Sequence, residues 1–377
     1  MGAVPADPEP ATIAFLIDRW EPARGGAERA LCAFAAHLER RGLRVLAVAE
    51  RHAPDPPGIP VVTRSFGLTR SGLERRRARA LVEAARAAGA QLTIGCRHLY
   101  ECDLYWPHGG VHAATLAQRD RARGVAPGPL SGRHAQFAAF ERALVEGGAR
   151  KIVCVSELVR AEFLEHWPMS RERLVVIENG IDLERFSAAR RASVGAELRR
   201  KLLAGPRTCV VAFIGRNPEL KGLPTLLQAL AKLAESGERD WLVAATDGEP
   251  AGANAAVRER WRSCGETDVA DLLAAADVLA HPTWRDTSGL VILEALASGV
   301  PVITTRAAGA CGHVGAGAGV VLDTPGDVPA LAQALRDTFA AIRGGSLDRE
   351  RIRACVAGSS RDTCHARLEA LVRELLG

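Results

Sequence analysis

Two rhythms of apolar residues alternate along the chain. Short stretches in which almost every side chain is apolar, at residues 12–18 (TIAFLID), 44–50, 59–64 and 91–95, have the length and continuity of strands buried on both faces. Between them apolar residues return every third or fourth position, as in Ala27, Ala30, Leu31, Phe34, Ala35 and Leu38, which predicts a helix. The alternation resumes with strands at 152–155 and 174–177, then at 209–214, 241–246, 278–281, 302–304 and 320–322. After 241–246 we expect a turn at Asp247, Gly248, Glu249 and Pro250 and a helix running through Val257 and Trp261. This order predicts an α/β fold of largely parallel sheets covered on both faces, in which ligands bind beyond the carboxyl ends of the strands. The polar stretch 185–200 separates two such series. The expected division is a first domain over 1–188, a second over 189–358, and a last helix in 359–377 that packs back on the first.

The densest stretch is 281–305, HPTWRDTSGLVILEALASGVPVITT. A loop of Asp286, Thr287, Ser288 and Gly289 leads into helical spacing at Leu290, Leu293, Leu296 and Ala297, ended by Ser298 and Gly299. Free N–H groups at Gly289 and Leu290 would open that helix, so its positive end suits an anion such as a phosphate. Glu294 lies about one turn further in, where a carboxylate would be repelled by phosphate unless it accepts hydrogen bonds from hydroxyl groups. Phosphate plus hydroxyls outlines a nucleotide sugar, although an ordinary helix with a solvated Glu fits the same letters. In the same half the loop Gly215-Arg216-Asn217-Pro218-Glu219-Leu220-Lys221-Gly222 follows a strand and precedes a helix with Pro224 in its first turn. Arg216 and Lys221 aimed at one place would suit a diphosphate leaving group, which gains charge in the transition state.

The first half carries weaker signals. Gly25 and Gly26 stand at the mouth of a helix, where a missing side chain lets a ligand approach the backbone, but they make no G-x-G-x-x-G and a tight turn explains them as well. A nicotinamide-dependent oxidoreductase would need that fingerprint and falls away. Tyr105-Trp106-Pro107-His108-Gly109-Gly110-Val111-His112 lies at an expected strand end, so His108 is a candidate to carry a proton or to accept from a substrate hydroxyl, while His112 can simply pack. Residues 121–133, rich in Gly, Pro and Arg, read as a loop.

Composition changes this picture in three places. The 377 residues suit about two domains. The net charge of +5 is confined to residues 1–190, with 27 Lys+Arg against 22 Asp+Glu. Seven arginines (64, 70, 75, 76, 77, 79 and 86) against two glutamates fall in 64–86, where Leu73, Ala80, Leu81, Ala84 and Ala88 offer an apolar face. Such a basic helix over 70–88 can lean on an anionic membrane surface or hold an acidic acceptor, and a solvated surface helix is the plain alternative. Nine cysteines with no C-x-x-C pair read as reduced core thiols of a cytoplasmic protein, and no apolar run reaches membrane-spanning length.

Taken together, Gly25, Gly26, Glu28 and Arg29, then VCVSE (153–157), ENGIDLERF (178–186), Gly215 and Arg216 with Lys221 and Gly222, AAADVLAHP (274–282) and SGLVILEALASGVPVI resemble the glycosyltransferases of family 4 with the GT-B fold. HAQFAAFERALVEGG (134–148) and HPTWRDTSGLVILEA are most similar to the lipopolysaccharide core glucosyltransferase I branch. The resemblance implies two Rossmann-like parallel-sheet domains facing a central cleft, the first for the acceptor and the second for the nucleotide sugar. It implies a retaining hexosyl transfer, with glucose and UDP expected, to a glycolipid or lipopolysaccharide-core oligosaccharide on the inner leaflet of the cytoplasmic membrane. By resemblance Arg216 and Lys221 hold the diphosphate, Glu294 the ribose hydroxyls, and Ser288, Gly289 and Leu290 the donor phosphates. Asp286 would touch the donor sugar, Gly25 and Gly26 line the donor phosphate and acceptor, and His108 stands near the reacting sugar. No metal, other cofactor or nucleic acid is implied. Two departures stand out: Asp286 replaces the usual Glu, and WPHGGVH is not the branch's usual sequence. A mannosyltransferase using GDP-mannose, or a sugar-binding member with weak catalysis, is the alternative.

Overall fold

The computed structural model describes residues 10–66, 68–246, 250–265 and 267–377, so the expected turn at 247–249 lies outside them. The chain forms two compact units, one of residues to Ala114 with Pro129–Ile177 and Cys364–Gly377, the other of Thr115–Gly128 and Glu178–Thr363.

The first unit is a seven-stranded sheet of β1 (Thr12–Leu16), β2 (Arg44–Ala49), β3 (Ile59–Val62), β4 (Leu92–Gly95), β5 (Cys102–Tyr105), β6 (Ala149–Cys154) and β7 (Leu174–Val176). Their spatial order is β3-β2-β1-β4-β5-β6-β7, and every pair is parallel. Helices α1 (Gly26–Arg40) and α2 (Arg70–Ala87) bury Leu31, Phe34, Ala35 and Leu38, and Ala78, Leu81, Val82 and Ala85. The face of α2 that is buried is therefore 74/78/81/82/85 rather than the expected 73/80/81/84/88. Glu74 can join it because its carboxylate meets the Arg97 guanidinium at 2.6 Å. Strand β5 escapes the sequence pattern because Asp103 interrupts its apolar run. The Asp103 carboxylate is satisfied within the sheet, accepting from Thr93 N–H and Oγ1 at 2.8 Å each.

The second unit repeats the plan with six strands: β8 (Cys209–Phe213), β9 (Trp241–Ala245), β10 (Trp261–Ser263), β11 (Val278–His281), β12 (Val302–Thr305) and β13 (Gly319–Leu322). The order β10-β9-β8-β11-β12-β13 is again all parallel. Trp261 does not continue the expected helix. That helix stops at Glu259, and Trp261–Ser263 adds a short edge strand to β9. Helix α3 (Leu223–Glu235) buries Leu226, Leu230 and Leu233, and α4 (Leu290–Ala297) buries Ile292, Leu293, Ala295 and Leu296. Residues 178–188 count with this unit, where Ile181 N–H donates to Ser359 O at 2.9 Å. The last helix, α5 (Arg361–Leu376), buries Leu368, Leu371 and Val372 in the first unit's core.

In both sheets the connection reverses direction beside the first strand, between β1 and β4 and between β8 and β11. Ligands of open parallel sheets bind in the crevice outside such a switch point. All nine cysteines are free thiols, and no described helix is long and apolar enough to cross a membrane.

Candidate functional site

The loops leaving β8 and β11 flank the second unit's switch point, and one glycine fixes how they meet. Gly222 caps α3 with φ +82°, and a Cβ there would lie 2.0 Å from Pro282 O. Only glycine tolerates both the left-handed backbone and that approach. The contact is continued by Trp284 N–H and Thr283 Oγ1, which both donate to Leu220 O at 2.8 and 3.0 Å. Lys221 is thereby brought against the second loop, where its Nζ lies 2.6 Å from Asp286 Oδ2.

Asp286 is the hub of this loop pair. Its Oδ2 also lies 3.0 Å from Nε2 of His281, the last residue of β11, and its Oδ1 accepts the Gly289 N–H at 3.0 Å. Its own backbone is tied to the loop after β12: Asp286 N–H donates to Ala307 O at 2.9 Å and Gly309 N–H to Asp286 O at 2.7 Å. Burial opposes the charge of this carboxylate. The Lys221 ammonium and the hydrogen bond from His281 prevail and hold it well below the usual carboxylate range. His281 has no exposed surface, and burial pushes its imidazole below the ordinary value, against the pull of Asp286. A neutral His281 beside an ionised carboxylate carries its proton on Nε2, since the carboxylate only accepts.

This corrects one expectation. The Gly289 N–H is not free to open α4 toward a ligand, because Asp286, three residues earlier, closes on it as Asp and Asn do at helix starts. Gly289 itself stands at φ +72° against Ala310, and Leu290 is the first residue of α4. Ser288 Oγ accepts from Asn179 Nδ2 at 3.2 Å. Glu294 is half-buried one turn into α4, and its charge reaches Arg185, which is paired with Asp268 at 2.6 Å. Arg216 is exposed in the loop after β8. The structure thus gathers Lys221, Asp286, Ser288, Gly289 and Leu290 at the switch point, with Glu294 behind them.

Three neighbours carry no individual role in the sequence. His281 and Asn179 stand only as letters of longer motifs, AAADVLAHP and ENGIDLERF. His313 Nε2, 2.8 Å from the Glu178 carboxylate that raises its pKa, carried no signal at all. The HP dipeptide after an apolar run was the one clue to His281.

In the first unit Gly25 is the N-cap of α1, and Gly26 its first residue, with Arg29 N–H donating to Gly25 O at 3.1 Å. His108 follows β5, its ring 4.5 Å from that of Trp106. Burial pushes its imidazole down to about 4, against a backbone hydrogen bond at Trp106, so at neutral pH the ring is uncharged, with one nitrogen donating and the other able to accept a hydrogen bond. His112 packs as expected, its Nε2 3.0 Å from His134 Nδ1 and its ring beside His98 and Phe137.

Residues 24–185 match the family model described as Glycosyltransferase Family 4, and residues 208–341 match Glycosyl transferases group 1. The chain is 26% identical over 337 residues to the lipopolysaccharide glucosyltransferase WaaG of Escherichia coli (strain K12), covering 86% of this chain and 88% of that protein. A crystal structure of WaaG, a glycosyltransferase involved in lipopolysaccharide biosynthesis, superimposes with a TM-score of 0.82 at 23% identity over 96% of this chain and 99% of that one. Anabaena Alr3699/HepE in complex with UDP-glucose gives 0.71 at 19% identity, over 96% and 99%. The structural likenesses show the fold, two parallel-sheet α/β domains of the GT-B kind.

Proposed function

From the premise that the chain belongs to the glycosyltransferases of group 1 and family 4, we propose that it is a retaining hexosyltransferase. It moves glucose from UDP-glucose to a glycolipid or lipopolysaccharide-core acceptor. The observation that carries this reading is the convergence at the second switch point of a cation, Lys221, with the mouth of α4 and a carboxylate, Glu294, one turn behind it. That set matches the two ends of a nucleotide sugar: charge for the diphosphate and an acceptor for ribose hydroxyls. The likeness to WaaG over most of both chains supports the lipopolysaccharide-type acceptor.

On this reading Lys221 and Arg216 counter the charge that develops on the leaving diphosphate, and Ser288, Gly289 and Leu290 line its path. The acceptor attacks on the face the leaving group departs from, and the leaving phosphate takes the acceptor's proton. No side chain has to form a covalent intermediate, and no metal is needed. In the first unit Gly25, Gly26 and neutral His108 serve the acceptor and the transfer step.

The acceptor's setting supports a place at an anionic membrane surface. Phe66 and Leu68 are 77% and 104% exposed just before α2, with Val62 at 62% on the edge strand β3. Arg64, Arg70, Arg75 and Arg76, close by in sequence, are exposed as well. Exposed apolar side chains interspersed with arginines suit the interface of an anionic bilayer.

A thermal-shift panel of UDP-, GDP- and ADP-sugars tests the donor reading, since a ligand that binds only the folded state raises Tm. UDP-glucose should give the largest shift, and GDP-mannose in its place would move the reading to a mannosyltransferase. No shift and no slow hydrolysis with any donor would reject it.

A further inference from the structure

We propose that Asp286 and His281 are positioning residues: together they hold the Lys221 ammonium beside the mouth of α4, set for the donor's diphosphate, and Asp286 acts on the phosphates through Lys221. The inference rests on the donor-site reading above and gives a role to His281, which that reading leaves out.

The argument starts from what Asp286 already does. An ionised carboxylate offers about four lone-pair directions. Three are taken, by Lys221 Nζ at 2.6 Å, His281 Nε2 at 3.0 Å and Gly289 N–H at 3.0 Å. The two oxygens are thus fixed from opposite sides, Oδ1 by the backbone of the loop and Oδ2 by a histidine rooted in β11. That histidine is itself immobile: it has no exposed surface, and its carbonyl accepts from Thr304 Oγ1 at 3.0 Å on the neighbouring strand. A carboxylate held this way cannot follow a ligand, and it offers a fixed anchor to the one flexible partner it has.

Lys221 is that partner. Its stem runs alongside Gly215, where an added Cβ would lie 3.4 Å from Lys221 Cγ. Of its three ammonium donors one is engaged by Asp286, leaving others for phosphate oxygens. Lysine loses considerable rotamer entropy when a ligand orders it, and a carboxylate that orders it beforehand removes part of that cost from binding. The closure of Oδ1 on an N–H three residues later is a geometry of short side chains, Asp, Asn, Ser and Thr. Glutamate's extra methylene does not favour it. Aspartate at position 286 is therefore a locally closed anchor for the lysine set toward the phosphates.

The test uses nucleotides without a sugar. UDP has the diphosphate and lacks the hexose, and UMP lacks the second phosphate. Binding of each is measured by calorimetry to the wild-type protein, Asp286→Asn, Lys221→Ala, the double variant of these two, His281→Gln and His281→Leu, with melting curves to confirm that each folds. Asp286→Asn keeps the shape and the acceptor for Gly289, and should weaken UDP about tenfold, within the usual coupling of contacting residues. UMP binding should hold in every variant. The double variant should bind UDP no worse than Lys221→Ala alone, and His281→Gln, which keeps a donor, should lose less than His281→Leu. Should Asp286→Asn not fold, Asp286→Glu takes its place, with the same direction expected. Unchanged UDP affinity in the Asp286 variant, or losses that simply add in the double variant, overturns the proposal and returns Asp286 to a sugar contact or a structural ion pair. Wild-type protein that binds neither UDP nor GDP would instead remove the donor reading on which it stands.

Discussion

The two units share a strand order, yet the loops beyond their switch points are held very differently. After β8 and β11 the second unit packs Gly222 under Pro282 O and ties Lys221, His281 and the Gly289 N–H to one carboxylate. After β1 the first unit has Gly25 in extended backbone, which any residue adopts. Its nearest neighbour for an added Cβ is Glu28 Oε2 at 3.1 Å, the far end of a flexible side chain. On the same unit Phe66 and Leu68 stand in the open. On the proposed assignment the tightly determined loops serve the nucleotide sugar, whose phosphates and ribose are common to many enzymes. The looser ones serve an acceptor that varies between relatives. Preorganisation is placed where the ligand's chemistry is constant.

The largest expected effect probes the tight site. Lys221→Ala should lower kcat/KM for transfer by about 10²–10³, the scale for removing one preorganised charge-stabilising group. His108→Ala should lower kcat by about 10² while leaving the donor KM unchanged, the scale of a lost contact that orients the reacting hydroxyl. Because His108 works neutral and its imidazole is pushed down to about 4, its contribution should be level across neutral pH and fade as pH falls through that value. A His108→Ala enzyme of unchanged rate would remove the residue from the transfer step.

The loop contrast itself is tested by two glycines. Gly222→Ala should destabilise the protein by about 2–4 kcal/mol, from a left-handed backbone and a Cβ placed 2.0 Å from Pro282 O. Gly25→Ala should cost under about 1 kcal/mol in chemical denaturation. Equal costs would erase the distinction drawn between the loops. For the exposed patch, Phe66→Ser with Leu68→Ser should reduce partition onto anionic vesicles by at least about tenfold, and unaltered partition would take the membrane surface elsewhere.

The smallest effect concerns how α5 is fastened. Glu369 lies 2.8 Å from His37 Nε2 and is bonded by Arg41 and Arg373, and although burial works against it these partners hold its carboxyl down to about 2 from an ordinary 4.5. A depressed carboxyl contributes stability that is complete above its unfolded value and is lost as pH falls from about 4.5 toward 2. Glu369→Gln should therefore lower Tm by about 2–4 °C at pH 7, with the gap narrowing at pH 3.

Much of this was legible in the letters. Continuous apolar runs mark the strands that both faces cover, and the switch-point loops carry their cations and glycines in readable order. Strand β5 hid behind Asp103, whose partner Thr93 lies on another strand, and β10 behind three residues with no apolar run. At the site, residue types were readable and their partners were not. Nothing in HPTWRDTSG states that Asp286 turns back on His281 and Gly289, because that closure depends on where β11 ends and where Gly222 lets a second loop arrive. The apolar face of α2 shifted for a similar reason, a glutamate buried through its tie to Arg97.

Transfer of a hexose from a nucleotide donor with retention can be read from a single product: UDP-glucose and a lipopolysaccharide-core acceptor are supplied, and the anomeric configuration of the new linkage is determined by proton NMR. The new glucose should be α-linked, as in the donor, and Lys221→Ala should form the same α-linked product about 10²–10³ times more slowly. A β-linked product, or no sugar transferred from any UDP-, GDP- or ADP-linked donor, would contradict retaining transfer.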